Sequence, residues 1–393
     1  MKSRIVFSWE WGSGNGHLRC FVPLAESLQK RGHEIVLISR EQSRAKKIFA
    51  HTSIPILPCP DLPTNRSQPF RSPQTYAGLA WNLGLHDSQA VIRSVAAWKQ
   101  MLMQIQPTHM LSDFGLIGPM VANCLNIPTS RIGLGFGTPP SESVLEAMFG
   151  QTPTEEELSI AYRIESSLSL ATHTSRLRSL SGWSEIFHTN GPVLLVTVAD
   201  FDPYNGLRQH SEYLGAWSDE TGVEPSWGNP GGTKAFSYLT PDSKIVGRCK
   251  ELSRIGLNVL LVCGGAIPDG LHSIPRLTVT DQLLKTGSCK DACSLVICNA
   301  NHGLTLRSLE LGLPVLMFPR YIEHRWNTSV VQRLGFGVDL SARSPDEWPS
   351  AVLGLVGDKE LQQRLAQYAD VLRSQNQSSL TACVNELISW IEG

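Results

Sequence analysis

The sequence has little charge and almost no excess of one sign. Asp, Glu, Lys and Arg make up 18% of its 393 residues, and 34 basic against 35 acidic residues leave a formal charge of −1. A nucleic-acid partner calls for clustered Lys and Arg to meet phosphates, so that class is set aside. Long apolar runs are scarce as well. The stretches 193–199 and 258–263 read as buried strands, and neither approaches the ~20 residues that span a bilayer. Ile5-Val6-Phe7 meets Glu10 almost at once, too soon for a signal-peptide core, so stable membrane insertion is not expected. Paired cysteines in a regular framework are missing too. Nine cysteines lie scattered at 20, 59, 124, 249, 263, 289, 293, 298 and 383, several of them inside predicted strands or helices. This reads as reduced thiols in a cytoplasmic protein. The one cluster, Cys289, Cys293 and Cys298 with His302 beyond it, has no common zinc spacing and reads as small buried residues, so no metal is expected.

What the chain does have is apolar content, 41% of its residues, enough for a large core in two or three domains. Its pattern alternates strand and helix. Arg4–Trp9 is a short strand, followed by the glycine-rich turn Gly12-Ser13-Gly14-Asn15-Gly16-His17. Phe21, Val22, Leu24, Ala25 and Leu28 then recur at helical spacing up to Gly32, and Glu34–Ser39 is the next strand. Such a unit opens a parallel, doubly wound α/β sheet. Further helices are predicted over 76–105, 116–125 and 155–180, and further strands over 108–113, 130–134 and 193–199. Residues 218–234 are rich in turn formers and lose all periodicity. The rhythm then restarts, with strands over 235–239, 258–263, 276–280, 294–298 and 314–318. Helices are predicted over 243–255, 303–312 and 325–334, and 345–392 reads as helical. The expected division is 1–225 for a first domain and 235–375 for a second, with 376–393 as a final helix that packs back on the first or stays on its own domain.

Two strand–loop–helix junctions carry candidate chemistry. In the first, Gly12, Gly14 and Gly16 let backbone approach a ligand at a helix N-terminus, or simply make a tight turn. His17 sits where that helix begins, at the C-terminal end of the first strand, where open α/β sheets bind ligands. An imidazole there can take a proton from a bound hydroxyl. Asp113 ends another predicted parallel strand and could hold that imidazole in one tautomer, or cap the helix that follows. Trp9 and Trp11 flank the same loop as packing or as an acceptor wall. In the second junction, Val296–Glu310, the loop offers N–H groups and the positive end of a helix. That suits a diphosphate, with His302 and Thr305 as side-chain donors, or the loop is an ordinary helix cap built from Asn.

Gly14-x-Gly16-His17 with Leu24-Ala25, Leu28 and Arg31-Gly32-His33-Glu34 resembles the N-terminal signature of GT-B nucleotide-sugar glycosyltransferases. The likeness is closest to the UDP-glycosyltransferase-like family with bacterial macrolide and flavonoid transferases. Residues 299–337 resemble that family's donor motif through Gly303, Gly312-Leu313-Pro314, Pro319, Glu323-His324 and Asn327. The resemblance implies two facing Rossmann-like domains with the active site in a cleft between them. It implies His17 as general base and Asp113 as its supporting carboxylate. It makes Asn299, Asn301, His302, Gly303, Leu304 and Thr305 the diphosphate cradle, and places Glu323, His324 and Arg307 at the donor sugar and ribose. The implied reaction is inverting transfer from a UDP- or dTDP-linked sugar to the hydroxyl of a small-molecule acceptor, with no further cofactor. Residues 141–190 would form an acceptor wall. Departures are specific: Asn299 replaces a histidine, Asn301 a glycine, Arg307 a ribose-gripping glutamate, His324 a glutamine and Cys20 a proline. They keep open a binding protein without catalysis. A UDP-sugar 2-epimerase is the remaining alternative, though its Arg-Pro-Glu segment is missing.

Overall fold

The computed structural model describes all residues except 1, 13, 63–69, 71, 142–146, 181, 209–212, 216, 218–221, 229–230 and 377–378. The chain divides into two compact units, Met1–Gly215 with Ser378–Gly393, and Ala216–Gln377.

In the first unit, β1 (Arg4–Trp9), α1 (Gly16–Lys30), β2 (Glu34–Ser39), α2 (Gln42–Ile48) and β3 (Ile56–Pro58) follow one another. Then come α3 (Tyr76–Ala80), α4 (Ser88–Ile105), β4 (His109–Asp113), α5 (Ile117–Cys124), β5 (Thr129–Gly133), α6 (Glu155–Thr174), α7 (Trp183–Phe187) and β6 (Val193–Leu195). The sheet runs β3-β2-β1-β4-β5-β6, and every pairing is parallel. Parallel strands need helical crossovers, which cover both faces of the sheet. That is why Ile5, Val6, Phe7 and Trp9 of β1 are all buried. α1 turns Leu18, Phe21, Leu24, Ala25 and Leu28 inward, one helical stripe. The helix expected over 76–105 is two helices. Gly84 has a φ of 127°, and Asp87 accepts from the Ala90 N–H to start α4 afresh.

In the second unit, β7 (Thr233–Leu239), α8 (Ile245–Arg254), β8 (Leu257–Cys263), β9 (Leu277–Thr280), β10 (Leu295–Cys298) and α9 (His302–Glu310) lead into β11 (Val315–Met317). α10 (Ile322–Leu334), β12 (Gly337–Asp339), α11 (Trp348–Gly357) and α12 (Lys359–Asn376) complete it. Its sheet order, β12-β11-β10-β7-β8-β9, repeats the order of the first, again all parallel. The helix expected over 345–392 is three, since the Asp358 carboxylate accepts from the Glu360 and Leu361 N–H groups and restarts the helix as α12. The last, α13 (Ser379–Glu392), belongs to the first unit. There Trp390 meets His109 edge to face at 4.8 Å, and Glu392 reaches His33 at 3.3 Å.

Each unit is thus a doubly wound sheet whose strand order reverses once, between β1 and β4 and between β7 and β10. At such a reversal the loops beyond the strand ends diverge and leave a crevice for ligand. The α/β class and the pair of Rossmann-like halves expected from the sequence are what the chain forms.

Candidate functional site

The first reversal point holds His17 and Asp113. Trp9 and Asp113 are register partners at the ends of β1 and β4. His17 enters from the first turn of α1, and its Nδ1 lies 2.8 Å from Asp113 Oδ2. Asp113 is almost wholly covered, its side chain 4% exposed, whereas that of His17 is 18% exposed. The carboxylate favours the tautomer with the proton on Nδ1, which directs the Nε2 lone pair away from Asp113. Trp9 and Phe114 lie nearly parallel to the imidazole, with centroids 5.2 and 5.8 Å away and both planes tilted by 21°. Trp9 and Trp11 are both buried.

Gly12 lies on the Nε2 side of the ring. A Cβ at this position would stand 2.8 Å from His17 Nε2 and 3.0 Å from the Phe114 ring, and the residue's φ is +86°. Gly14 and Gly16 meet no atom within 4 Å of such a Cβ. Cys20, one turn along α1, donates its thiol to the His17 carbonyl at 2.9 Å and lies 3.9 Å from Asp113 Oδ2. Burial, then the Asp113 charge, push this thiol well up, so it stays protonated.

Sequence reasoning missed Glu10. It is buried, and its carboxylate accepts from the backbone N–H groups of Ile117 at 3.1 Å and Gly118 at 2.8 Å. The only sequence sign of it was an acid placed directly after an apolar strand.

The second reversal point holds the β10–α9 loop. Ala300 adopts a positive φ of 61°, which swings the chain from β10 into α9. Asn327 secures that turn by donating to the Ala300 carbonyl at 2.9 Å. His302 is the first residue of α9, with Gly303 exposed and Leu304 half-buried behind it. The Thr305 N–H closes the first bond of the helix on the Asn301 carbonyl at 3.0 Å, and the turn ahead of it marks the positive end of α9. Burial pushes His302 down to about 3, so its imidazole is neutral. Thr305 is buried and donates to the Asn301 carbonyl at 2.9 Å. Asn299 uses both ends of its amide within the unit. Its Oδ1 accepts from the Thr240 N–H at 2.8 Å and its Nδ2 donates to the Phe318 carbonyl at 2.9 Å. It therefore ties the ends of β7, β10 and β11 together.

Glu323 stands in the first turn of α10, half-buried, beside His324. Burial, then the neighbouring Arg320, hold His324 down at about 4. Arg320 itself donates to the Thr240 carbonyl at 3.1 Å. Arg307 lies farther along α9, ion-paired with Glu310 at 2.8 Å and 3.4 Å from Thr286 Oγ1. Cys289, Cys293 and Cys298 are free thiols, and among the described residues no cluster of three or more His, Cys, Asp or Glu is disposed to hold a metal ion.

No protein-family model matches the chain. Among curated proteins it is 22% identical to an L-demethylnoviosyl transferase of Streptomyces niveus over 345 residues, 85% of this chain and 84% of that one. Among solved structures it is similar to the glycotransferase of kitacinnamycin, with a TM-score of 0.70 at 15% identity over 99% of both chains. It is also similar to the glycosyltransferase VinC in complex with DTDP, with a TM-score of 0.63 at 14% identity over 99% of both chains. These likenesses establish the fold, which is that of the GT-B glycosyltransferases whose motifs the sequence resembles.

Proposed function

We propose that the chain is a glycosyltransferase that moves a sugar from a nucleoside-diphosphate donor to an acceptor hydroxyl with inversion. The observation that carries this reading is the His17–Asp113 pair, 2.8 Å apart at the reversal point of the first sheet, with the imidazole partly open to solvent. His17 Nε2 takes the acceptor's hydroxyl proton. The oxygen forms its bond to the anomeric carbon as the bond from that carbon to the diphosphate breaks, and the nucleoside diphosphate departs. Asp113 holds the tautomer and stabilises the imidazolium that forms. A positioned base of this kind contributes about 10²–10⁴-fold.

The donor's diphosphate is assigned to the first turn of α9, where the backbone ahead of Thr305 and a neutral His302 imidazole supply donors, while Thr305 itself is bonded to the Asn301 carbonyl. Glu323 is assigned to the sugar hydroxyls. The DTDP of the VinC complex supports a dTDP-linked donor, and the L-demethylnoviosyl transferase supports transfer of a glycosyl group. The test is His17→Ala assayed with a panel of labelled UDP- and dTDP-sugars and candidate aglycones. Transfer should fall by about 10²–10⁴-fold with donor binding retained. Undiminished transfer removes His17 as the base. Donor binding by the unaltered protein without transfer or donor hydrolysis would instead make it a binding protein.

A further inference from the structure

The two loops that wall His17 are fastened to each other by a side chain with no part in the transfer itself. The β1–α1 loop supplies Gly12, packed against Nε2, and the β4–α5 loop supplies Phe114, parallel to the ring. They meet through the Trp11 N–H on the Phe114 carbonyl at 3.1 Å. They meet again through Glu10, whose two carboxylate oxygens take the N–H groups of Ile117 and Gly118 in the first turn of α5. We infer that Glu10 is a positioning residue for His17: its ionised carboxylate clamps the first loop to the start of α5 and so sets both walls of the imidazole. The inference rests on the glycosyl-transfer reading for its activity readout alone.

The clamp depends on charge. An ionised carboxylate offers an acceptor to each N–H, whereas a protonated one turns one oxygen into a donor facing a donor. Arg131 on β5 faces it, with its Nη1 on the Gly115 carbonyl at 2.7 Å, as do Tyr76 on α3 and Cys59 beyond β3. Arg40 beyond β2 reaches the Glu10 carbonyl at 3.4 Å. Burial outweighs the N–H groups and Arg131, and pushes Glu10 up to about 7. The clamp therefore engages as the pH rises through neutrality.

The experiment is Glu10→Gln, with transfer rate followed from pH 5 to 9. The unaltered protein should show a rising limb steeper than one titrating group gives. The variant should show a one-group limb and a plateau lowered about 10–100-fold, the scale of a misplaced base. An unchanged limb and plateau overturn the clamp, whatever happens to stability. Glu10→Asp keeps the charge and shortens the reach, so its plateau should fall while its limb stays two-group. An unaltered plateau there also overturns the proposal, and this variant serves if Glu10→Gln does not fold. Histidine-labelled NMR, with His17→Gln to assign the signal, reads the clamp without any substrate. The His17 resonances should carry a second inflection that Glu10→Gln removes. If the unaltered protein transfers no sugar, the function reading fails, and this titration still decides the clamp.

Discussion

The closest constraint on the base is a missing methyl group. Gly12→Ala would place a Cβ 2.8 Å from His17 Nε2 and 3.0 Å from Phe114, inside van der Waals contact with both. It would also ask an alanine to adopt a φ of +86°, which costs about 1–2 kcal/mol. For a unit of this size that strain lowers Tm by roughly 2–8 °C. The steric effect is separate. Either the imidazole shifts off Asp113 or Nε2 is covered, and in both cases the base's contribution of about 10²–10⁴-fold is lost. Gly32→Ala supplies the control. Its φ is +90°, close to that of Gly12, but a Cβ there meets no atom within 4 Å and lies at the far end of α1. Both variants should lose stability in differential scanning calorimetry, Gly12→Ala at least as much as Gly32→Ala. Only Gly12→Ala should lose transfer in the labelled-donor assay, with the affinity for nucleoside diphosphate in calorimetry unchanged. Full activity in Gly12→Ala, or equal losses in both, would refute the argument that Nε2 works against this backbone.

Asp113→Asn should keep the fold and lower transfer by about 10²–10⁴-fold, because an amide can settle the other imidazole tautomer; steady-state kinetics should show the loss in kcat more than in KM. Glu10 has its folded pKa raised by burial from 4.5 to about 7, so it favours the folded state most below the lower value and loses that contribution as pH rises through the upper one. The loss is about 3 kcal/mol, visible as a decline in urea-unfolding free energy over that window that Glu10→Gln should flatten. His302 has the opposite sign, its pKa being pushed down from 6.5 to about 3, so its contribution is present above the upper value and lost on acidification; replacing it with Gln should flatten the acid limb of unfolding. Asn299→Ala leaves the part-buried Thr240 N–H and the buried Phe318 carbonyl without this partner, and should cost about 1–3 kcal/mol in urea unfolding.

Much of the first site was legible because it is local. A short strand, three glycines and a histidine at the start of an apolar stripe define a βα junction within fifteen or so residues, and such junctions lie at sheet ends by construction. The pairing of His17 with Asp113 needed only the further expectation that β1 and β4 are neighbours. Glu10 was not legible, because its partners lie 107 and 108 positions away, and a carboxylate's hydrogen bonds to backbone leave no mark on the partner residues' identity. Asn299 was placed in the diphosphate cradle by resemblance alone, and its bonds to Thr240 and Phe318 leave no mark on those residues either. The turn-rich stretch 218–234 was read as the place of a domain boundary, and in its described part Trp227 donates to the Ala235 carbonyl at 3.2 Å and the Gly228 N–H to Thr278 Oγ1 at 3.0 Å. That part belongs to the second unit.

The two histidines of the two junctions show where sequence stops deciding chemistry. His17 and His302 occupy equivalent places, the first helical turn beyond a central parallel strand. His17 keeps a carboxylate at 2.8 Å and partial access to solvent, the conditions under which an imidazole can accept a proton and hold it. His302 is buried, and that burial removes the charge. It can donate one hydrogen bond and no more. Near neutral pH the positive potential at the second junction then comes from the oriented N–H groups of α9, worth about half an elementary charge at the helix end. A diphosphate held in that way is selected by the direction of its oxygens rather than by net attraction. Such a site would suit a chain that balances 34 basic residues against 35 acidic ones.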